Sequence, residues 1–154
     1  MTTRELVAES NRIEGITREP TKEEIYQFLA FLNLSKILVV DLENFVSVYE
    51  PGATLRDKQG MDVRVGEHTP PKGGPDIAHR LQALLKVVRR PWNRAAGAYK
   101  VHIAYEKLHP FMDGNGRSGR MLWYWMMRDK PMAQNLGFLH AFYYQALASK
   151  EKQC

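Results

Sequence analysis

The sequence predicts a mostly helical fold with one small β-hairpin. Helix-start residues followed by acidic residues recur along the chain, and the apolar residues behind them repeat every three or four positions, the period of a buried helical face. Only Leu55 to Val65 alternates apolar and polar residues as a strand does. The length of 154 residues is typical of one domain, so we expect a single domain over 1–154.

Residues 2–15 predict the first helix. Thr2 can cap its N-terminus, with Glu5 three residues later as in a capping box, and Gly15 marks its end. Ser10 and Glu14 are four residues apart, so we expect their side chains to point the same way from this helix.

A second helical region begins at Thr21, which Glu24 is placed to cap reciprocally. Apolar residues are dense over 25–40, which indicates either one buried helix or a broken pair of helices. In the second case Asp41 is the expected cap of the restarted helix.

Residues 54–66, here called the flap, predict a β-hairpin. Met61, Val63 and Val65 alternate with charged residues, and the polar residues 57–60 suit a turn. A hairpin of this kind would lie on the surface of the helical domain.

Three further helices follow the Pro- and Gly-rich loop 69–75. Asp76 is the expected cap of the first, and the second ends near His109. The third, from Ser118 to Arg128, is apolar almost all round, which predicts a central buried helix. A last amphipathic helix is predicted from Phe138 to Leu147.

Composition narrows the class of protein. With 44% hydrophobic and 25% charged residues the chain resembles globular proteins, and its longest apolar run, Met121 to Met127, is far below the roughly 18 residues of a membrane span. We expect a cytoplasmic protein without membrane contacts, since the charged N-terminus does not resemble a secretory signal. The net charge of +5 favours anionic partners. The sequence has no Lys/Arg block of the kind that would indicate binding to nucleic acid.

The cysteine content limits the disulfide and zinc chemistry of the protein. The single cysteine, Cys154, allows neither a disulfide framework nor a thiolate zinc site.

Residues suited to catalysis or ligand binding are most concentrated in the segment 109–120, with the sequence HPFMDGNGRSGR. Gly114 and Gly116 let the backbone approach a ligand and turn N–H groups toward an anion. The segment also opens the apolar helix, whose N-terminus attracts phosphates, and Arg117 and Arg120 can reach the same anion from its first turn.

Two more side chains complete this set. Asp113 supplies the hard oxygen ligand that Mg²⁺ prefers when the ion bridges phosphates. His109 has an ordinary pKa near neutrality and is the candidate general base. Alone, the histidine would usually be structural and Asp-Gly-Asn-Gly a turn or a fragment of a calcium loop. Combined at the head of a buried helix, these residues indicate phosphoryl or nucleotidyl transfer.

Residues 109–120 resemble the signature of the Fic family, H-P-F-x-[DE]-G-N-[GK]-R-x-x-R, at every fixed position. His102 and the flap also lie where many Fic proteins have a histidine and a flap. The resemblance covers most of the chain and implies an all-α, Fic-type helical domain with a small β-hairpin flap. Most Fic proteins transfer AMP from ATP, with Mg²⁺, to a Ser, Thr or Tyr hydroxyl of a protein.

The resemblance also implies roles for individual residues. His109 would deprotonate the target hydroxyl, Asp113 would hold Mg²⁺, and Phe111 would anchor the loop in the core. A lysine replaces Gly116 in the branch that phosphorylates its targets, so this glycine favours AMP transfer. The nucleotide would be bound by the anion hole and the two guanidinium groups: Gly114, Asn115, Gly116, Arg117 and Arg120.

Residues 10–15 resemble a second Fic pattern, [ST]-x-x-x-E-[GN], which occurs in inhibitory helices. On its own this pattern also fits an ordinary helix end. Together with residues 109–120, the pattern has a physical explanation. Arg120 needs an anion, and the Glu14 carboxylate can replace the γ-phosphate. We therefore expect residues 2–15, through Ser10 and Glu14, to form an N-terminal inhibitory helix.

Other assignments rest on fewer residues. Met61, Val63 and Val65 are expected to align an extended segment of the target by edge pairing, the alternative being a purely structural hairpin. Trp123, Tyr124 and Trp125 could contribute to an adenine pocket, although such a stripe is more often core.

Several functional alternatives stay open at this stage. The expected partners are ATP and an unidentified target protein, and a homo-oligomer is not excluded. One alternative is an enzyme that removes AMP or transfers another phosphate-bearing group. Another is a regulatory module that senses nucleotides without catalysis.

Overall fold

The computed structural model describes residues 1–138, and seven helices account for most of that range. No part of it is a named β-strand, which confirms the all-α prediction, and none of the helices is long and apolar enough to cross a membrane. The predicted helix from Phe138 to Leu147 lies outside the described residues except for Phe138. The helices are α1 (Thr3–Ile13), α2 (Lys22–Leu32), α3 (Val39–Tyr49), α4 (Pro75–Leu85), α5 (Ala95–Leu108), α6 (Asn115–Met127) and α7 (Pro131–Leu136).

Helix α6 is the centre of the fold, as its sequence predicts. Every residue of α6 except Gly116 is buried, and α1, α2, α3 and α5 pack around it. The stripe formed by Trp123, Tyr124 and Trp125 belongs to this core, with side chains that are 1 to 6% exposed. The Trp125 indole also donates to the Leu34 carbonyl (3.0 Å), which holds the end of α2 against α6.

Two of the predicted helix starts are confirmed. Thr2 accepts a hydrogen bond from the Glu5 N–H (3.1 Å). Thr21 and Glu24 form the full capping box, in which the Glu24 N–H donates to the threonine hydroxyl (3.1 Å) and the Glu24 carboxylate accepts from the Thr21 N–H (2.8 Å). These contacts satisfy N–H groups that the first turn of a helix leaves without intrahelical partners.

Two other predicted starts differ in detail. The apolar region breaks between α2 and α3, but Asp41 is the third residue of α3, where its carboxylate accepts from the Leu38 N–H (2.8 Å). Helix α4 has Gly74 rather than Asp76 at its cap and begins at Pro75. Proline suits the first helical position because its fixed φ is already helical and no N–H is needed there.

The prediction of a hairpin over residues 54–66 is wrong. Leu55 forms an isolated antiparallel bridge with Phe111 instead. The Arg56 N–H donates to the Pro110 carbonyl (2.8 Å), and the Met112 N–H donates to the Thr54 carbonyl (2.9 Å). The first half of the flap therefore pairs with the loop that follows α5.

The alternation of residues 61–65 has another origin. Met61 and Val63 are partly buried, whereas Asp62 and Arg64 are exposed, yet this stretch is not in a ladder. Only the Met61 and Val63 side chains are partly buried, in an irregular segment, whereas Val65 is 40% exposed. Val65 forms only an isolated bridge, to His68.

Replacing Thr21 tests the capping box. Thr21→Ala should lower the free energy of unfolding by about 1 kcal/mol, because the Glu24 N–H loses its partner. Urea denaturation would measure the loss, with the neighbouring exposed Lys22→Ala as the control. Equal stability of the two variants would contradict the assigned cap.

Candidate active site

The twelve residues 109–120 connect α5 to α6 through a tight turn. His109 is the C-cap of α5 and has a left-handed backbone (φ 50°, ψ 62°), unlike every other non-glycine residue in the range 1–138. Its N–H donates to the Tyr105 carbonyl (2.9 Å). Since this conformation disfavours residues with a Cβ, the surrounding structure must hold it in place.

Arg56 holds the turn from the flap side. Its guanidinium is fully buried, and Nε donates to the His109 carbonyl (2.7 Å) while Nη2 donates to the Leu108 carbonyl (2.9 Å). Nη1 donates to the carbonyls of Met61 (3.0 Å) and Pro71 (2.9 Å). One side chain thus ties the flap to the last residues of α5. Burial lowers the pKa of Arg56, against the opposing charge of Asp62.

No pattern in the sequence indicated this role of Arg56. Arg56 is one of many charged residues in the chain, and its partners are backbone carbonyls, which every sequence has. Only the fold brings four of them around one guanidinium.

Asn115 closes the loop on itself. Its Oδ1 accepts from the Phe111 N–H (2.9 Å) and its Nδ2 donates to the Phe111 carbonyl (2.8 Å). The Phe111 side chain is fully buried. Because both groups of the Asn115 amide are occupied, its contribution to an anion hole would come from its backbone N–H.

The start of α6 is fixed by further polar contacts with α5. Ser118 donates to the Gly114 carbonyl (2.8 Å) and hydrogen-bonds the Tyr105 hydroxyl (2.7 Å). His102 donates from Nδ1 to the Gly119 carbonyl (3.1 Å). Burial lowers the pKa of His102 to about 4, so its ring is neutral near pH 7. Together these contacts set the direction in which the N-terminus of α6 points.

A cavity of about 330 Å³ lies at this N-terminus. The size is at the lower end of the range for small-molecule sites. Ile16 and Glu50, which the sequence did not single out, belong to its wall, whereas none of Met61, Val63 and Val65 does. The wall includes seven residues that the sequence predicted: Glu14, His109, Asp113, Gly114, Asn115, Gly116 and Arg117.

His109 has the properties of a base. Burial lowers its pKa below the usual value, and the charges of Arg56 and His68 add to this effect, against the Glu106 backbone and Asp113. Its Nδ1 is buried without a partner in hydrogen-bonding geometry among the described residues. The neutral ring can therefore accept a proton near pH 7.

Asp113 is the residue best placed to hold a metal ion. Its side chain is exposed at the cavity, and Oδ1 accepts from the Gly114 N–H (2.7 Å). Within residues 1–138 no group of three or more His, Cys, Asp or Glu side chains has metal-binding geometry. One carboxylate fits Mg²⁺, which commonly takes one or two carboxylates, with phosphate and water oxygens completing its shell.

Arg120 is paired with the end of α1. Its Nε donates to the Ser10 hydroxyl (2.9 Å), and Nη2 donates to the Ser10 carbonyl (3.0 Å) and to Glu14 Oε1 (2.6 Å). The Glu14 carboxylate also lies against Gly116, where any Cβ would collide with Oε1. Glu14 Oε1 therefore occupies the position that a side chain at residue 116, near the N-terminus of α6, would need.

Arg117 is paired with a carboxylate as well. Nη2 forms an ion pair with Glu50 Oε1, and Nη1 donates to Asn11 Oδ1 (3.4 Å). Its guanidinium carbon lies 5.6 Å from the centre of the Tyr49 ring. Sequence reasoning missed Glu50 and Asn11, because both are far from Arg117 along the chain.

Asn11 fastens α1 to the rest of the domain. It is fully buried, and its Nδ2 donates to Glu24 Oε2 (3.2 Å). Burial of Glu24 alone would raise its pKa, but hydrogen bonds from Arg18, Thr21 and Asn11 outweigh burial and lower the pKa below the usual value. Charged Glu24 thus helps to hold the helix that carries Ser10 and Glu14.

These features define a helical domain in which a cavity lies between the start of a buried helix and a histidine whose pKa is lowered. The model of the Fic/DOC family matches residues 23–127, and the chain belongs to this family. The family is generally one of transferases, which points to AMP transfer or a related transfer of a phosphate-bearing group. No curated protein matches the sequence. The family match begins after α1 and so does not include Ser10 and Glu14.

Arg56→Lys tests the tie between the flap and the His109 turn. The variant keeps a positive charge but has fewer donors than carbonyl partners, so the free energy of unfolding should fall by about 1 to 3 kcal/mol. Arg64→Lys, an exposed arginine of the flap, is the control for urea denaturation. The assignment of Arg56 fails if both lysine variants are as stable as the wild type.

Proposed function

We propose that this protein is an adenylyltransferase that moves AMP from ATP to a Ser, Thr or Tyr hydroxyl of a target protein, and that Glu14 inhibits it. One observation carries the proposal. The Glu14 carboxylate fills the space beside Gly116 and binds Arg120, at the helix start where a nucleotide phosphate would be held.

The proposed reaction begins with His109. Its neutral ring takes the proton of the target hydroxyl, whose oxygen forms a bond to the α-phosphorus of ATP. The bond from that phosphorus to the bridging oxygen breaks, and pyrophosphate leaves. In-line attack depends on how the remaining phosphates are held, since small misplacements of the reacting atoms slow such reactions strongly.

Holding the phosphates is the task of the start of α6. Arg117 and Arg120 would bind the β- and γ-phosphates, and the N–H groups of Asn115 and Gly116 would line the anion hole beside Gly114, whose own N–H donates to Asp113. Asp113 would hold Mg²⁺, which when bound offsets negative charge on the phosphates. Buried guanidinium groups suit this task because nearby water does not screen them.

Inhibition follows from competition for Arg120. While Glu14 and Ser10 occupy its donors, the γ-phosphate lacks its partner and ATP is bound with the α-phosphorus misaligned for attack. The inhibitor is part of the same domain, since Asn11 anchors α1 to Glu24 and Arg117. Departure of the Glu14 side chain would remove the carboxylate from Arg120 and leave only the neutral contacts to Ser10.

The flap is proposed to dock the target. Within residues 61–65 the Val65 side chain is 40% exposed and accessible to a second chain, whereas Met61 and Val63 are partly buried. Arg56 joins the Met61 carbonyl to the His109 carbonyl, so a target held by Met61, Val63 and Val65 would keep a constant relation to the base.

Two alternatives make different use of the same site. Removal of AMP from a modified target is favoured by Glu14 lying in the cavity wall with His109, because a carboxylate there can orient water. A nucleotide-sensing module is favoured by how fully Ser10 and Glu14 satisfy Arg120.

Glu14→Gly should raise AMP transfer about tenfold or more, because a charge-assisted hydrogen bond that competes with ATP is lost. Autolabelling with α-labelled ATP, alone and in a cell lysate, measures the change. Glu19→Gly, an exposed loop residue, is the control. Transfer of label from γ-labelled ATP instead would indicate phosphorylation, and no gain with either label would contradict inhibition by Glu14.

His109→Ala in the Glu14→Gly background should reduce labelling about 100- to 10,000-fold while nucleotide binding is largely kept. Titration calorimetry with ATP would measure binding beside the labelling assay. His79→Ala, an exposed histidine on α4, should leave both unchanged. Undiminished labelling would remove His109 as the base.

A further inference from the structure

Glu50 is held rigidly at the edge of the cavity. It is the C-cap of α3, where its N–H donates to the Val46 carbonyl (2.8 Å) and its carbonyl accepts from the Ala53 N–H (3.0 Å). Its Cβ and Cγ lie against Gly114, at 3.7 and 3.6 Å from the position that a Cβ atom added to Gly114 would take. The carboxylate is thereby directed to the same helix start as the proposed phosphate site.

Arg117 depends on this carboxylate. Glu50 is the acidic residue paired with it in the described part of the chain, and the hydrogen bond to Asn11 is long (3.4 Å). The Nε atom of Arg117 is buried and has no hydrogen-bond partner within residues 1–138. The arginine side chain is 2% exposed, whereas that of Glu50 is 34% exposed. Glu50 can therefore turn to water while the guanidinium stays in place.

The charges around the cavity point the same way. Glu14, Glu50 and Asp113 contribute three negative charges, and Arg117 and Arg120 contribute two positive charges beside neutral His109. An arriving polyphosphate meets guanidinium groups that are already neutralised. A phosphate bound at Arg117 and the Glu50 carboxylate would compete for one positive charge and repel each other.

We propose that Glu50 sets the affinity of the site for nucleotide phosphates by competing with them for Arg117. This inference rests on the proposed function only in placing polyphosphate at the start of α6. The ion pair with Glu50 reduces the fraction of protein in which Arg117 is free to bind phosphate. The apparent dissociation constant is the intrinsic constant divided by this fraction, so it is higher.

Glu50 and Glu14 are separate competitors. Glu14 follows α1 and acts on Arg120, whereas Glu50 follows α3 and acts on Arg117. Because the two carboxylates have different arginine partners, removing both should multiply the separate effects on affinity.

The test is the binding of inorganic tripolyphosphate and of ATP to Glu50→Gln by titration calorimetry, with and without Mg²⁺. The amide keeps the shape of the side chain but loses its charge, so Kd should fall about tenfold for both ligands without metal. Glu43→Gln, on the exposed face of α3, should bind like the wild type. Combination with Glu14→Gly should lower Kd by the product of the single effects.

A second variant covers the case in which Glu50→Gln does not fold. Glu50→Asp keeps the charge but is one methylene shorter, so it should lower Kd in the same direction by a smaller factor. An unchanged or higher Kd in the folded variants overturns the proposal, since Glu50 would then only orient Arg117. Weaker binding confined to samples with Mg²⁺ also overturns it and makes Glu50 a metal ligand.

The two proposals fail in different ways. If Glu14→Gly labels proteins with AMP but the Glu50 variants do not gain affinity, competition by Glu50 is wrong and the transferase function stands. If the Glu50 variants bind tripolyphosphate more tightly but no variant transfers AMP, the anion site stands and the transferase function is wrong.

Discussion

Two buried arginines at the start of an apolar helix are the constraint on which the rest of this structure depends. Arg117 and Arg120 are 2% and 7% exposed, and charges removed from water to this extent require partners. Two other parts of the fold supply them: α1 with its C-cap, through Ser10, Asn11 and Glu14, and Glu50 at the end of α3. The packing of α1 and α3 around α6 is thus also an electrostatic arrangement.

The same requirement links inhibition to stability. A site built to bind phosphate contains guanidinium groups and free N–H groups, which are unfavourable to bury without an anion. Carboxylates of the chain provide that anion here. In the proposed function the same carboxylates compete with the nucleotide, so inhibition would need no second domain.

Hydrogen bonds to backbone groups hold the loop. Asn115 and Ser118 bind them from the start of α6, Arg56 binds the His109 carbonyl from the flap, and the His109 N–H donates to Tyr105 of α5. None of these contacts involves Arg117 or Arg120. In the proposed function, the base and the inhibitory contacts would therefore use different groups of one loop.

Local interactions are what the sequence by itself determined. The capping box of Thr21 and Glu24, the buried α6 and the facing of Ser10 and Glu14 depend on residues a few positions apart, where spacing fixes geometry. The tertiary structure alone decided the partners that are distant in the chain. Leu55 pairs with Phe111 rather than within a hairpin, and Arg56, Asn11 and Glu50 contact residues far away in the sequence. The sequence does not show these contacts, because a backbone carbonyl or a carboxylate can pair with many groups and only the packing of the helices selects one.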